Sequence, residues 1–144
     1  PIIPNQMTIT RYEVGCGIGS HVDVHSVFDG VIALLSTNSS CVLALRPTSS
    51  VSETRKKLVF LPRRSLALLK GPARYAWEHA IPFRKYDLVK GKKIDRGVRI
   101  SFSLRRVLPD NTPCQCDWPE QCDSQNTDLD IAERRSREES IQLT

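Results

Sequence analysis

The sequence predicts an all-β domain, a sandwich or barrel of antiparallel strands. Short apolar runs recur along the chain, and clusters of Ser, Thr, Asn, Pro and Gly separate them. Regular spacing of this kind is typical of strands joined by turns and does not fit alternating strands and helices. No stretch before residue 127 has helical periodicity. The predicted strands cover residues 7–14, 31–35, 41–45, 57–61, 65–69 and 97–107.

Length and composition limit the class of protein. With 144 residues, 40% of them hydrophobic, the chain has enough apolar side chains for the core of one domain. It lacks an apolar run of membrane-spanning length and a signal-peptide pattern, so we expect an intracellular protein, in the cytoplasm or the nucleus. Because the chain opens at Pro1, already close to a strand, we also expect it to be a fragment of a longer protein.

Basic residues are concentrated in the middle of the chain. Residues 46–106 contain 17 Lys and Arg against four Asp and Glu, within a chain whose net charge is +5. Such a block is typical of proteins that bind a polyanion, because neutralised phosphates dominate non-specific affinity for nucleic acids. A solvated basic surface is the alternative, and only two Trp and three Tyr are present for stacking on bases.

The segment 21–25, His-Val-Asp-Val-His, offers metal ligands. In an extended backbone alternate side chains share a face, so His21 and Asp23 project together. With a second histidine this pair would form the facial triad that holds Fe(II) and leaves coordination positions open. His79 is the candidate, since the chain contains only three histidines. The alternatives are two polar residues on the wet face of a strand, and a histidine that simply packs beside Trp77.

Residues 97–107 form the clearest strand of the sequence. One face is apolar, and the other has the order Arg99, Ser101, Ser103, Arg105. The two arginines lie roughly 20 Å apart along the strand at about 3.3 Å per residue. Either they are exposed on an edge strand, or the polar face lines the cavity of a jelly roll and one arginine binds a dicarboxylate through its planar guanidinium.

Three stretches are predicted to be loops or turns. The glycines within residues 15–19 indicate a turn with close backbone approach that delivers His21, since neither Lys-Ser/Thr nor a helix follows them as in a phosphate-binding loop. Residues 48–55 are predicted to form a Ser/Thr-rich hairpin loop, and residues 85–96 a basic loop with no structure of its own.

The five cysteines are not predicted to form a disulfide framework, which is typical of secreted chains. Cys16 and Cys41 stand alone and are predicted to be small buried hydrophobic residues. Cys114, Cys116 and Cys122 are clustered, and three thiolates are one ligand short of a tetrahedral zinc site. An unliganded, reduced cluster is the alternative.

Taken together, these features resemble the AlkB family of Fe(II)- and 2-oxoglutarate-dependent dioxygenases. The pattern Arg99-x5-Arg105 is similar to the family's final strand, and Tyr12, nine residues before His21, is similar to a tyrosine that contacts 2-oxoglutarate. The resemblance implies a double-stranded β-helix, or jelly roll, that holds Fe(II) and 2-oxoglutarate. The iron ligands that it implies are His21, Asp23 and His79, and the 2-oxoglutarate-binding residues are Tyr12, Thr10, Arg99 and Arg105.

The resemblance narrows to the AlkB homologue 8 group of tRNA wobble-uridine enzymes. Similar motifs are Met-Thr-Ile-Thr-Arg-Tyr-Glu-Val-Gly from residue 7, Arg-Tyr-Ala-Trp-Glu-His from residue 74 and Thr-Pro-Cys-Gln-Cys from residue 112. The group implies hydroxylation of the side chain of a modified wobble uridine. The implied partners are the tRNA anticodon loop and fused RNA-recognition and methyltransferase domains. The implied division is a dioxygenase domain at 1–108, a zinc-binding extension at 109–125 and a charged linker or tail at 126–144.

In that group the fourth zinc ligand matches His25, which would complete a Cys3His site with the three clustered cysteines. Strict alternation would instead direct His25 to the same side as His21 and Asp23, so the backbone has to bend after Asp23. Such a zinc ion would pin the C-terminal extension to the segment with the iron ligands.

One departure from the family leaves two other functions open. The family usually has an asparagine at the position of Thr10, and a hydroxyl reaches less far than a carboxamide and makes fewer hydrogen bonds. The chain would then be a tRNA-binding module with weakened catalysis. A nucleic-acid demethylase of the same family is the other alternative, because it would use the same site residues.

Overall fold

The computed structural model describes residues 3–48, 56–109 and 112–126, and these residues are almost entirely β structure. The strands are β1 (Gln6–Tyr12), β2 (Ile18–His21), β3 (Phe28–Thr37), β4 (Cys41–Pro47), β5 (Lys57–Leu61), β6 (Ser65–Leu69), β7 (Trp77–Ile81), β8 (Tyr86–Val89), β9 (Lys92–Asp95) and β10 (Arg99–Val107). A one-turn helix, α1 (Pro72–Tyr75), precedes β7, and a 3₁₀ turn (Pro119–Gln121) lies near the C-terminal end of the described chain. The predicted all-β class is confirmed, and each predicted strand is present.

Two four-stranded antiparallel sheets pack face to face. The first has the order β1-β10-β3-β6, and the second has the order β2-β7-β4-β5. Apolar side chains of both sheets meet between them, with Ile32 and Leu34 of β3 in one cluster with Leu43, Leu61 and Ile81 of the second sheet. This two-layer antiparallel architecture is consistent with the jelly roll of the prediction.

The polar face of β10 points inward. Its alternate residues Arg99, Ser101, Ser103 and Arg105 line a cavity between the sheets. Because β10 lies between β1 and β3, it is not an edge strand, and the alternative of two exposed arginines is excluded. The apolar residues of β10 lie on the outer face, in two rows that cross all four strands of the first sheet. The rows are Met7, Leu104, Ala33 and Leu68, and Ile9, Phe102, Leu35 and Leu66.

The prediction of an unstructured loop at residues 85–96 was wrong. β8 and β9 pair as a hairpin, and the side chain that this hairpin buries fully is the charged Asp87. Asp87 is 1% exposed and accepts hydrogen bonds from Arg84 and Arg96 at 2.7 Å. The neighbouring Leu88 points to solvent instead. A rule that assigns strands by burying apolar side chains therefore misses this hairpin.

The two isolated cysteines differ. Cys41 is buried, as predicted, whereas Cys16 is exposed, because its turn lies at the surface. The predicted loop at 48–55, apart from Thr48, and the predicted tail at 126–144, apart from Asn126, lie outside the described residues. Within the described residues, no helix has the length and apolar character needed to cross a membrane.

Candidate functional site

Two histidines meet where β2 pairs with β7. His21 is the direct cross-strand partner of His79, and their ring centroids are 4.3 Å apart. Nδ1 of His21 lies 2.8 Å from the carbonyl oxygen of Gly19, which can only accept a hydrogen bond, so Nδ1 has the proton. In the neutral imidazole this tautomer leaves the lone pair on Nε2, which is the form in which an imidazole binds a metal.

The pairing of these strands depends on a glycine. A Cβ at Gly17 would lie 2.0 Å from the carbonyl oxygen of Ile81, so a larger residue would push the chain that enters β2 away from β7. The close backbone approach predicted for the glycine turn is confirmed at this position. It lets the chain enter β2 close to β7, and the register then shifts between Ile18 and His21, so that His21 lies opposite His79.

Asp23 joins the two histidines although it lies beyond the end of β2. Its Oδ2 is 3.5 Å from Nε2 of His79, and ligand atoms of His21, Asp23 and His79 all lie within 4.8 Å of one another. Nη2 of Arg105 lies 2.9 Å from the other carboxylate oxygen. Oδ2 itself is buried and has no hydrogen-bond partner among the described residues. Such an oxygen is costly to bury, and a cation held by these three residues would satisfy it.

The protonation state of His79 suits a metal ligand. Burial lowers the pKa of His79 to about 4, and the neighbouring His21 acts in the same direction, while the carboxylate of Asp23 opposes it. The imidazole is therefore uncharged at neutral pH. Two imidazoles and one carboxylate are the donor set of the facial triad for Fe(II), so the residues present fit this metal.

A cavity of about 180 Å³ is lined by both histidines, His21 and His79. Arg99 lines it, is 4% exposed, and donates hydrogen bonds to Ser36 at 2.8 Å and to Ser101 at 3.0 Å. The guanidinium lies over the ring of Tyr12, which also lines the cavity together with Thr10. Nη1 of Arg99 is buried and has no acceptor in the described part of the chain. A small ligand with a carboxylate would supply that acceptor.

The two arginines of β10 have different surroundings. Arg105 also lines the cavity, but its guanidinium contacts Asp23 and donates to the hydroxyl of Thr8 at 3.2 Å. The resemblance to the AlkB family implies that both arginines bind 2-oxoglutarate. The geometry gives Arg105 an additional contact, because it orients the carboxylate of Asp23.

A second group of ligand atoms lies on the other side of the turn after Asp23. His25 is 3% exposed, and its Nδ1 is 3.6 Å from Sγ of Cys116. Ligand atoms of His25, Cys116 and Cys122 lie within 4.8 Å of one another, so the bend that His25 requires is present. Cys114 is buried in the same cluster, but its sulfur is not within that distance of all the others. Burial raises the pKa of Cys114 to about 12, so a thiolate there would need a cation.

Two charged residues that hold the turn were not anticipated from the sequence. Arg74 is 1% exposed and donates to backbone carbonyls of the turn, and Asp123 accepts from its backbone amides. No periodicity singles out either residue. The one available signal was that Arg74 opens a motif similar to the AlkB homologue 8 group.

The fold and the site agree with the comparison with known families. Residues 1–105 match the 2OG-Fe(II) oxygenase superfamily. Since the match covers more than half of the chain, the chain belongs to this superfamily of 2-oxoglutarate-dependent dioxygenases.

Within this superfamily, the curated relatives of the chain confirm the resemblance to the AlkB homologue 8 group. The chain is 41% identical over 136 residues to the "Alkylated DNA repair protein ALKBH8 homolog" of Arabidopsis thaliana, covering 84% of this chain and 39% of the relative. It is 36% identical over an alignment of 156 positions to the "tRNA (carboxymethyluridine(34)-5-O)-methyltransferase ALKBH8" of Macaca fascicularis, which covers 97% of this chain and 23% of the relative. The protein of that name from Xenopus tropicalis is 38% identical over 141 residues, covering 86% and 21%. The chain therefore spans less than half the length of these relatives.

Proposed function

We propose that this chain is the oxygenase part of an enzyme that uses Fe(II) and 2-oxoglutarate to hydroxylate the side chain of a modified wobble uridine in tRNA. One observation supports it above all. Two histidines and a carboxylate oxygen converge beside a cavity, and that oxygen has no hydrogen-bond partner among the described residues. Arg99, which lines the cavity, has a buried N–H donor that also lacks a hydrogen-bond partner there.

The site residues have distinct roles in this proposal. His21, Asp23 and His79 would hold the iron, and Arg99 would bind the distal carboxylate of 2-oxoglutarate, with Tyr12 and Thr10 against the same ligand. When bound, the metal and cosubstrate supply the activation of dioxygen and the oxidation of a C–H bond. The protein supplies orientation and the exclusion of side reactions.

Arg105 contributes to that orientation. Its contact with Oδ1 of Asp23 fixes the carboxylate while Oδ2 stays directed at His79. The apolar side chains of Leu34, Leu43 and Ile81 line the same cavity and would keep water away from the reacting groups.

Trp77 and Lys57 support a nucleic-acid substrate. Trp77 precedes His79 by two residues in β7, so both side chains lie on the same face of the strand. Nζ of Lys57 is 5.2 Å from the centroid of the Trp77 ring, so a cation and an aromatic surface lie two residues along β7 from the proposed iron ligand His79. An unpaired base of an anticodon loop would stack there without the opening of a duplex. The relatives named as tRNA methyltransferases support tRNA as the nucleic acid.

Succinate formation from 2-oxoglutarate tests the proposal. Wild-type protein is supplied with Fe(II), ascorbate and 2-oxoglutarate, with and without tRNA that contains the modified wobble uridine, and the nucleosides are then identified by mass spectrometry. We expect iron-dependent succinate that tRNA stimulates, and none from Asp23→Ala. Glu78→Gln is the matched control, because Glu78 points to the other face of β7 and pairs with Arg46. If the wild-type protein formed no succinate that depends on iron, the proposed oxygenase function would be excluded.

Two other functions are separated by the same assay. The Arabidopsis relative is named as an alkylated DNA repair protein, which favours demethylation, and formaldehyde release from methylated oligonucleotides would identify that activity. Retention of tRNA with no succinate formation would instead identify a binding module with weakened catalysis.

We also propose that His25, Cys114, Cys116 and Cys122 hold a structural zinc ion. The support is the close approach of three of these ligand atoms and the burial of the fourth residue beside them. A closed shell of four protein ligands leaves no position for chemistry, so this ion would attach residues 109–125 to the loop after β2.

A further inference from the structure

The loop that joins β2 to β3 has a proposed metal ligand on each side. Asp23 is directed to the two histidines, and His25, two residues later, is directed to the cysteines. Residues 22–27 have neither strand nor helical structure, so their backbone groups need partners from elsewhere. The direction of both side chains therefore depends on what holds this backbone.

The carbonyl groups of the loop are held by one arginine. Nη1 of Arg74 donates to the carbonyl oxygen of Asp23 at 2.7 Å, and Nη2 donates to those of Val24 and Phe28 at 2.9 and 2.8 Å. Arg74 is 1% exposed. A planar guanidinium has donors in a rigid fork, whereas an ammonium group on a flexible chain does not reproduce that geometry.

The backbone N–H groups of the same loop are bound by a carboxylate from another part of the chain. Oδ1 of Asp123 accepts from the backbone N–H groups of His25 and Ser26, each at 3.1 Å, and the hydroxyl of Ser26 contacts the same carboxylate. Asp123 adjoins the proposed zinc ligand Cys122, while Arg74 comes from α1. The loop is thus fixed by one charged side chain from α1 and another from the segment after the 3₁₀ turn.

Both the side chain and the backbone of Asp23 are bound by arginines. Arg105 contacts its carboxylate, and Arg74 binds its backbone carbonyl. We infer that Arg74 is a positioning residue that holds the backbone of residues 23–28 so that Asp23 and His25 reach their separate ligand groups. The inference rests on the proposed function, because it takes both groups as metal sites.

The affinity for Mn(II) tests this inference without turnover. Mn(II) suits carboxylate and imidazole ligands better than thiolates, and the signal of the free ion in electron paramagnetic resonance measures its binding to zinc-loaded protein. We expect Arg74→Lys to weaken Mn(II) binding about 10-fold or more, as changes around metal ligands do, and to accelerate zinc release to a chelator. The exposed Arg46, which pairs with Glu78, gives the matched control Arg46→Lys with unchanged values.

A general loss of stability is distinguished from positioning by a core variant. Ile32→Val, at a fully buried residue of β3, should lower the melting temperature without changing Mn(II) affinity or zinc release. A folded Arg74→Lys with wild-type values for both metals would overturn the inference alone. Wild type that binds no Mn(II) would overturn the iron site and the inference together.

A measurement on the wild type covers the case in which Arg74→Lys does not fold. Guanidinium groups labelled with ¹⁵N are observed by NMR, and the Nη groups of Arg74 should show restricted rotation and slow proton exchange, because three carbonyl oxygens hold them. Freely rotating Nη groups would overturn the inference.

Discussion

His21 and His79 lie directly opposite each other in the antiparallel pair of β2 and β7, with their ring centroids 4.3 Å apart. The pairing of β2 with β7 therefore brings together two proposed iron ligands that are distant in sequence. A slip of one residue would turn His79 to the outer face of the sheet, because side chains alternate along a strand. The close approach of Gly17 to Ile81 keeps the start of β2 against β7.

Asp23→Asn should abolish the iron site while preserving its shape. The amide lacks the negative charge that the cation needs. Substitutions of residues that only support metal ligands lower metal affinity by up to roughly 100-fold, and we expect loss of this ligand to lower Mn(II) affinity by more than that. Asp29→Asn, at a half-exposed aspartate, is the matched control. If the Asp23→Asn variant bound Mn(II) with wild-type affinity, Asp23 would be removed from the ligand set.

Arg99→Lys should raise the KM for 2-oxoglutarate about 10-fold or more, with a smaller change in kcat. The reason is that a hydrogen bond to a charged group contributes about 1.5–3 kcal/mol, and lysine loses the bidentate geometry. Succinate formation is measured as a function of 2-oxoglutarate concentration. Arg106→Lys, at an exposed position of the same strand, should leave the KM unchanged. An unchanged KM in Arg99→Lys would exclude its assigned role.

Cys116→Ser should reduce zinc content from one ion per chain to near zero and lower the melting temperature, because a hydroxyl is a poor substitute for a thiolate ligand. Atomic emission and thermal unfolding measure the two effects. The exposed Cys16 provides the control Cys16→Ser, which should keep its zinc. Asp23→Asn should also keep it, since Asp23 lies in the other ligand group. Wild type purified without zinc would contradict the prediction.

Trp77→Ala should weaken the interaction with tRNA. Stacking of a base on an aromatic ring contributes about 1–3 kcal/mol, so we expect the KM for tRNA to rise roughly 5- to 150-fold. The KM for 2-oxoglutarate should not change, because Arg99 is untouched. Phe83→Ala, at a side chain that is 70% exposed and does not line the cavity, is the control. Equal tRNA kinetics in both variants would exclude stacking on Trp77.

Asp87 should make stability depend on acidic pH. Burial alone would raise the pKa of Asp87, but hydrogen bonds from Arg96 and Arg84 outweigh burial and hold it below its ordinary value of 3.8. The unfolded state therefore takes up the proton first as pH falls. The contribution of Asp87 is fully present above pH 3.8 and is lost as pH falls through the lower pKa of the folded state.

The variant Asp87→Asn checks this pH dependence. Removal of one partner of a buried ion pair costs about 3–5 kcal/mol, so the free energy of unfolding should be lower by that order near pH 7. The difference from wild type should stay constant down to about pH 4.5 and narrow below the ordinary aspartate pKa. Urea unfolding at a series of pH values measures it. A difference that is the same at every pH would contradict the assignment.

Alternation along strands accounts for much of the candidate site. It placed Arg99 and Arg105 on one face, and the structure has both at the same cavity. The same rule failed after β2, because the strand ends at His21 and the turn separates Asp23 from His25. It also failed at β8, where the buried side chain is Asp87.

The class of fold and the set of side chains able to bind metals and carboxylates follow from the order of amino acids, because periodicity and residue chemistry are local properties. Which of these side chains meet depends on contacts between distant parts of the chain. The partnership of His21 with His79 follows from strand register, and the separation of Asp23 from His25 follows from hydrogen bonds to Arg74 and Asp123. Those contacts join residues that are remote along the chain, and local propensity contains no information about such pairs.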